Sequence, residues 1–244
     1  MQFISKCIGG SRMYGLKTPT SDHDLRGIFY NDTIDKIIGL NRYDHQDIKS
    51  ETEDSFYWEI RHYLNSLRKT NTQAIELLYN ENWIETSYFM DRLQENKEQL
   101  MDSERLYSSL VGYISGEIRL ANGMRKGDIG KQRREAIEKY GFSPKNWTNI
   151  FRLTLSGIYF FTKGIYPTQF HKFFPTESQT LIYLKTKPDS FQVKNLNKRY
   201  LDLKQELDET YAKTNIKFSF NEALANDILL EIYGSVIIQK MSQI

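Results

Sequence analysis

Apolar residues recur along this chain in two rhythms, and the change of rhythm divides it. Residues 3–8 (FISKCI) form a short apolar run that stops at Gly9-Gly10, as a buried strand entering a tight turn does. Residues 25–30 (LRGIFY) make a second strand, closed by Asn31-Asp32. A third strand is expected from about residue 48 to residue 57, with a polar half that leaves its boundary loose. Beyond Trp58 the period becomes helical. Ile60, Tyr63, Leu64 and Leu67 fall on one face, and Ala74, Leu77 and Leu78 continue the pattern. Leu106, Leu110, Tyr113, Ile114, Ile118 and Ala121 predict a long amphipathic helix. Ser143 followed by Pro144 reads as an N-cap with proline at the first helical position. That helix carries Trp147, Ile150, Phe151, Ile158 and Phe161 inward and ends near Gly164. Leu196, Tyr200, Leu203, Leu207 and Tyr211 mark another. Ser219 and Glu222 form a capping-box pattern that opens the last helix, through about Met241.

The expected class is therefore α+β: a small mixed β-sheet at the N-terminus followed by a larger all-helical region. A single boundary is expected near residue 90, giving regions 1–90 and 91–244. No internal repeat or low-complexity linker interrupts the chain. Its 244 residues suffice for a sizeable core, and 16 Tyr with 14 Phe argue against disorder. A formal net charge of +2 excludes a polycation that coats nucleic acid indiscriminately, so any such contact must come from a local basic patch. The one cysteine, Cys7, excludes an internal disulfide and a cysteine zinc cluster, and it fits a reducing compartment. The opening MQFISKCIGGSR carries no signal-peptide pattern, and the longest apolar runs, such as residues 158–161, are too short to span a bilayer. The expected location is the cytoplasm, with no membrane partner.

The candidate chemistry lies in Gly9-Gly10-Ser11-Arg12-Met13-Tyr14-Gly15 and the following Thr18-Pro19-Thr20-Ser21-Asp22-His23-Asp24. Two glycines at a strand end let the backbone approach a ligand closely and present its amides. The hydroxyl of Ser11 can hydrogen-bond a phosphate oxygen. Asp22 and Asp24 follow after a spacer of ten residues. On a strand, positions i and i+2 point the same way, so these carboxylates would project side by side, where they repel unless a cation lies between them. Oxygen-only ligands favour magnesium or manganese over zinc.

Gly-Ser, about ten residues, then Asp-x-Asp resembles the signature of the polymerase-β-like nucleotidyltransferase superfamily. GSRMYGLKTPTSDHDLRGIF resembles one branch of it, predicted nucleotidyltransferases associated with RNA ligase and RNA repair. In that branch D-x-x-x-Y-E-L-R-K-F is similar to the stretch from Asp54 through Trp58-Glu59-Ile60-Arg61 to Tyr63. NTQAIELL at residues 71–78 is similar to its Asn-Pro-x-x-x-Glu-Leu-Leu segment, with Thr72 where proline is usual. Lys139-Tyr140-Gly141-Phe142-Ser143-Pro144-Lys145 and Arg152-Leu153 resemble its Lys-Tyr-Gly-Tyr-Asp-x-Lys and Arg-Leu motif. The chain departs from the branch at Ser143 and at Asn146 or Asn149, where the branch carries Asp and His.

The resemblance implies a nucleotidyltransferase core at residues 1–90 and a helical region that binds nucleotide and acceptor. It implies two-metal phosphoryl transfer, with Asp22 and Asp24 bridging two cations (Mg2+ or Mn2+) about 4 Å apart and Asp54 completing the second site. The substrate would be a nucleoside triphosphate whose terminal phosphates Gly10 and Ser11 anchor, and the acceptor a hydroxyl on RNA. Each residue has a plainer alternative. Asp22 and Asp24 suit a surface turn, and Asp44, Asp47, Glu51 and Glu53 compete with Asp54. Arg12 can touch phosphate and Tyr14 can stack on a base, or either, like Arg26, can pack or pair at the surface. Lys145 and Arg152, seven apart on one helix, can hold a phosphate or form a surface pair. The basic run at residues 126–134 (KGDIGKQRR) suits a solvated helix start as well as RNA, the four histidines lack ligand spacing, and Cys7 suits a core. Two other functions fit the same residues: a protein AMP-transferase of antitoxin type, and a catalytically silent nucleotide- or RNA-binding protein.

Overall fold

In the computed structural model of the protein, which describes residues 1–38, 45–49, 53–124 and 130–241, the chain begins with β1 (Gln2–Ile8), the four-residue helix α1 (Gly10–Met13) and β2 (His23–Tyr30). There follow α2 (Ile34–Ile38), β3 (His45–Lys49), β4 (Glu53–Glu59), α3 (Ile60–Arg68), α4 (Thr72–Leu78), β5 (Glu85–Thr86) and α5 (Tyr88–Glu95). The remainder is helical: α6 (Ser103–Ala121), α7 (Lys131–Tyr140), α8 (Pro144–Lys163), α9 (Phe170–Phe173), α10 (Pro175–Thr186), α11 (Val193–Lys213) and α12 (Glu222–Met241). The class is α+β. The mixed sheet has five strands in the order β3-β4-β2-β1-β5, with β2 parallel to β4 and the other pairs antiparallel. None of the described helices is long and apolar enough to cross a membrane.

The third strand expected from residue 48 to 57 is two strands. Ile48 in β3 pairs with Ser55 in β4, and the two strands lie antiparallel. A hydrophobic pattern cannot separate one long strand with a polar half from a hairpin. Residues 50–52, Glu51 among them, lie outside the described residues, as do Asp44 and residues 126–129 of the basic run.

The chain forms two compact units rather than the two consecutive regions expected on either side of residue 90. One comprises Met1–Met13, Ser21–Leu106 and Lys217–Ile244, and the other Tyr14–Thr20 and Tyr107–Ile216. In the first unit, β1 buries Ile4 and Cys7, β2 buries Ile28 and Phe29, and α3 buries Ile60, Tyr63, Leu64 and Leu67, the face its period predicts. The last helix belongs here because its partners do. Ser103 and Phe218 exchange hydrogen bonds of 3.1 and 3.2 Å, Asn221 donates to the Gln99 carbonyl at 2.7 Å, and the Tyr233 hydroxyl donates to the buried Glu59 carboxylate. The N-cap of α12 is Asn221, whose side chain accepts from the Leu224 amide at 3.1 Å, so the expected capping box at Ser219 is displaced by two residues.

In the second unit, α8 is the central helix. Trp147, Ile150, Phe151, Leu153, Phe160 and Phe161 are buried along it, and α10 and α11 flank it. It opens at Ser143-Pro144 and ends at Gly164 in the left-handed conformation, as the sequence predicts. The hydroxyl of Ser143 does not cap the helix; it donates to Asn146 Oδ1 at 2.7 Å.

Candidate active site

In the sheet-bearing unit the glycine turn sits directly on the first part of β2. The Gly9 amide donates to the Asp24 carbonyl at 2.8 Å. Gly10 has φ +56°, and a Cβ there would lie 1.6 Å from Asp24 Oδ2. Only glycine fits, both because the backbone is left-handed and because the Asp24 carboxylate fills the space a side chain needs. Ser11 follows on α1, half-buried, with no hydrogen-bond partner among the described residues. Arg12 faces the other way along the loop: its Nε donates to the Asp22 carbonyl at 3.1 Å and its Nη2 to the Ser21 carbonyl at 3.3 Å. Arg12 therefore holds the backbone that carries Asp22.

The register of the sheet brings another acid beside β2. In the parallel pairing of β2 with β4, Asp24 stands opposite Asp54. Directly paired residues on adjacent strands present their side chains on one face of the sheet. Asp47 pairs with Phe56, and Glu53 with His23. Arg26 staples this arrangement, because its Nη1 donates to the carbonyls of Leu25 at 2.8 Å and of Asp54 at 2.9 Å. Asp22 is exposed and lies just ahead of β2, two positions before the half-buried Asp24. The carboxylates of Asp22 and Asp54 take part in no ion pair among the described residues. These oxygen donors suit a hard divalent cation. Among the described residues, no three His, Cys, Asp or Glu side chains already converge at metal-ligand spacing. Asp24 and Asp54 stand in register on β2 and β4, and Asp22 lies at an exposed edge just ahead of β2. Cys7, paired with Arg26 across β1 and β2, is fully buried; burial pushes its thiol up to about 12, against the smaller opposing pull of the Arg26 charge.

The helical unit holds the other predicted residues. Tyr14–Thr20 belongs to this unit, and its first residues are tied to α9 and α10. The His171 amide donates to the Tyr14 carbonyl at 3.1 Å, and Lys185 Nζ donates to the Leu16 carbonyl at 2.7 Å. Gly15 has φ +70°, and a Cβ there would meet His171 Nδ1 at 2.1 Å. The Arg152 guanidinium lies 3.7 Å from the centroid of the Tyr14 ring. Arg152 is only 4% exposed, so the surface pair with Lys145 that its spacing allows does not form; Lys145 is exposed and Arg152 is not.

Beneath Arg152 runs a polar network that pattern reasoning does not reach. Arg152 Nη2 donates to Asn149 Oδ1 at 2.8 Å, and Asn149 Nδ2 donates to Glu117 Oε2 at 3.2 Å. Asn146 Nδ2 reaches the same Glu117 oxygen at 2.9 Å, while Asn146 Oδ1 accepts from Ser143 and from Arg133 Nε. The chain departs from its resemblance at Ser143 and at Asn146 or Asn149, and all three belong to this network around Glu117, which is 8% exposed. The spacing of Asn146, Asn149 and Arg152 on one helix was available in the sequence, but Glu117 comes from α6, 29 residues before Asn146.

No curated protein matches the chain significantly. The sequence model of the RNA repair pathway DNA polymerase beta family matches residues 1–222, which include the glycine turn, Asp22, Asp24, Asp54, Lys145 and Arg152. With that match over most of its length, the chain belongs to the RNA repair pathway DNA polymerase beta family, a group of polymerase-β-like nucleotidyltransferases.

Proposed function

We propose that the protein transfers a nucleoside monophosphate from a nucleoside triphosphate to a hydroxyl on RNA, with Mg2+ or Mn2+ as cofactor. The observation that carries this reading is the register of β2 on β4, which puts Asp24 opposite Asp54, with Gly10 against the Asp24 carboxylate. Asp22, Asp24 and Asp54 would hold the cations, which when bound draw charge from the phosphate oxygens and acidify the attacking hydroxyl. Gly10 permits close backbone approach to the triphosphate, and the Ser11 hydroxyl is available to donate to a phosphate oxygen. Arg12 acts indirectly, by holding the carbonyls of Ser21 and Asp22. Lys145, Arg152 and Tyr14 serve nucleotide binding in the helical unit, with Arg152 setting the pose of the Tyr14 ring. The division of labour is a catalytic sheet-bearing unit and a binding helical unit. The reducing environment that suits a free thiol points to the cytoplasm as its place of work.

The test is label transfer. The protein is incubated with each labelled nucleoside triphosphate, Mg2+ or Mn2+, and either RNA fragments or candidate proteins, beside Asp24→Asn and Asp54→Asn variants. We expect label in RNA, reduced at least about a hundredfold in either variant, since each removes a charge that positions the reacting phosphate. Label in protein instead identifies a protein AMP-transferase. Nucleotide binding without transfer to any acceptor identifies a silent binding protein, and either result ends the present reading.

A further inference from the structure

The two units carry opposite charge. The helical unit, residues 14–20 and 107–216, holds 19 Lys and Arg against 10 Asp and Glu, a formal +9, while the sheet-bearing unit holds 14 against 21, a formal −7. The near-neutral total therefore hides one polycationic unit, whose field attracts a polyanion. Residues 178–201, where α10 ends and α11 begins, contribute +4 of this, with Lys185, Lys187, Lys194, Lys198 and Arg199 against the single acid Asp189. Hydrogen bonds make this corner one piece. The Lys187 amide donates to the Tyr183 carbonyl at 2.7 Å, the Ser190 amide to the Lys187 carbonyl at 3.1 Å and the Phe191 amide to the Pro188 carbonyl at 2.9 Å. Lys187, Lys194 and Lys198 are exposed, and the last two share one face of α11, four residues apart. Among the described residues, none of these three takes part in an ion pair or a side-chain hydrogen bond.

Charge alone would suit any polyanion, but the corner also offers flat apolar faces. Tyr183 is 48% exposed, and its ring lies 5.8 Å from that of the half-buried Phe191, inclined at 57°. Its hydroxyl is 3.2 Å from that of Ser190. These contacts hold the Tyr183 ring at the surface rather than in the core. An exposed ring among unpaired ammonium groups matches a single nucleic-acid strand, whose bases stack on the ring while its phosphates meet the cations. A duplex keeps its bases stacked on one another and offers none to the ring. We infer that the α10–α11 corner binds single-stranded nucleic acid, with Tyr183 as its stacking platform and Lys187, Lys194 and Lys198 on the backbone. That the strand is the RNA acceptor rests on the proposed function; the strand-binding surface itself does not.

Fluorescence anisotropy tests it, with the full chain titrated into labelled oligouridylate of about 12 nucleotides, without metal or nucleoside triphosphate and at several salt concentrations. Circular dichroism and thermal melts verify that each variant is folded. Tyr183→Leu should weaken binding about fivefold or more, whereas Tyr183→Phe, which keeps the ring, should stay within about twofold. The Lys194→Gln/Lys198→Gln double variant should lower the slope of log affinity against log salt by about one, as loss of phosphate contacts on a single strand does. Lys213→Gln, roughly 30 Å farther along the same helix, should change neither affinity nor slope appreciably. A folded Tyr183→Leu variant with wild-type affinity overturns the inference. So does a wild-type chain that binds duplex RNA or a glutamate-rich peptide as tightly as the single strand, since charge would then act alone. Equal binding of a DNA strand supports it, because stacking and backbone contacts tolerate either sugar. If the strand binds through Tyr183 but no nucleotide is ever transferred, the surface stands and the proposed function falls. If RNA is labelled while Tyr183→Leu binds as the wild type does, the reverse holds.

Discussion

At the scale of single residues, the site depends on what is missing from a side chain as much as on what is present. Gly10 combines φ +56° with an α-carbon whose would-be Cβ falls on the Asp24 carboxylate. A Gly10→Ala substitution must either move that carboxylate or relax the left-handed turn, which for a non-glycine residue costs roughly 1–2 kcal/mol. Chemical denaturation should show a loss of that size, and label transfer should fall more than about tenfold through displaced Asp24. A variant of native stability and full activity would show that the carboxylate is free to move. The sequence made Gly10 visible through its spacing to Asp22 and Asp24, but its reason is steric and needs the neighbouring strand. Arg12 shows the converse. Its charge suggested a phosphate contact, and only its place in the loop shows that it also binds two backbone carbonyls.

At the scale of elements, helices were legible where an apolar face repeats and less so where a cap or a turn decides the end. The face of α3 follows from Ile60, Tyr63, Leu64 and Leu67 alone, and Gly164 stops α8 as its permissive backbone allows. The start of α12 is different, because both Ser219 and Asn221 are good caps and only the chain's path chooses between them. Asn221 is held in place by donating to Gln99 through its amide and to the Gln99 side chain through Nδ2 at 3.1 Å. Asn221→Ala should therefore cost about 1 kcal/mol in a denaturant titration, and Ser219→Ala should cost less than about half that. Equal losses would return the cap to Ser219. The hairpin of β3 and β4 marks the same limit: alternation is local, whereas strand pairing is not.

At the scale of the whole molecule, the C-terminal helix returns to the sheet-bearing unit, and buried polar partners enforce that return. Glu59 is 1% exposed, accepts from the amides of Arg61 and His62 at the start of α3, and accepts the Tyr233 hydroxyl from α12. Tyr233→Phe leaves the buried carboxylate one donor short and should cost about 1–3 kcal/mol of stability. Breaking the more exposed Arg92–Glu231 pair of the same helix should cost less than about 1 kcal/mol. If the two losses were equal, Glu59 would be no anchor. Period and composition determined by themselves that this is a small sheet followed by helices, and the spacing of glycine, serine and aspartate marked the candidate site. Those signals lie within a few dozen residues of one another, where local geometry alone brings side chains to one face. Only the tertiary structure decided that Asp54 is the acid opposite Asp24, that Glu117 underlies Arg152, and that the last helix rejoins the sheet-bearing unit. Each of these pairs residues distant in sequence, and such pairing is set by strand register and helix packing, which no local pattern encodes.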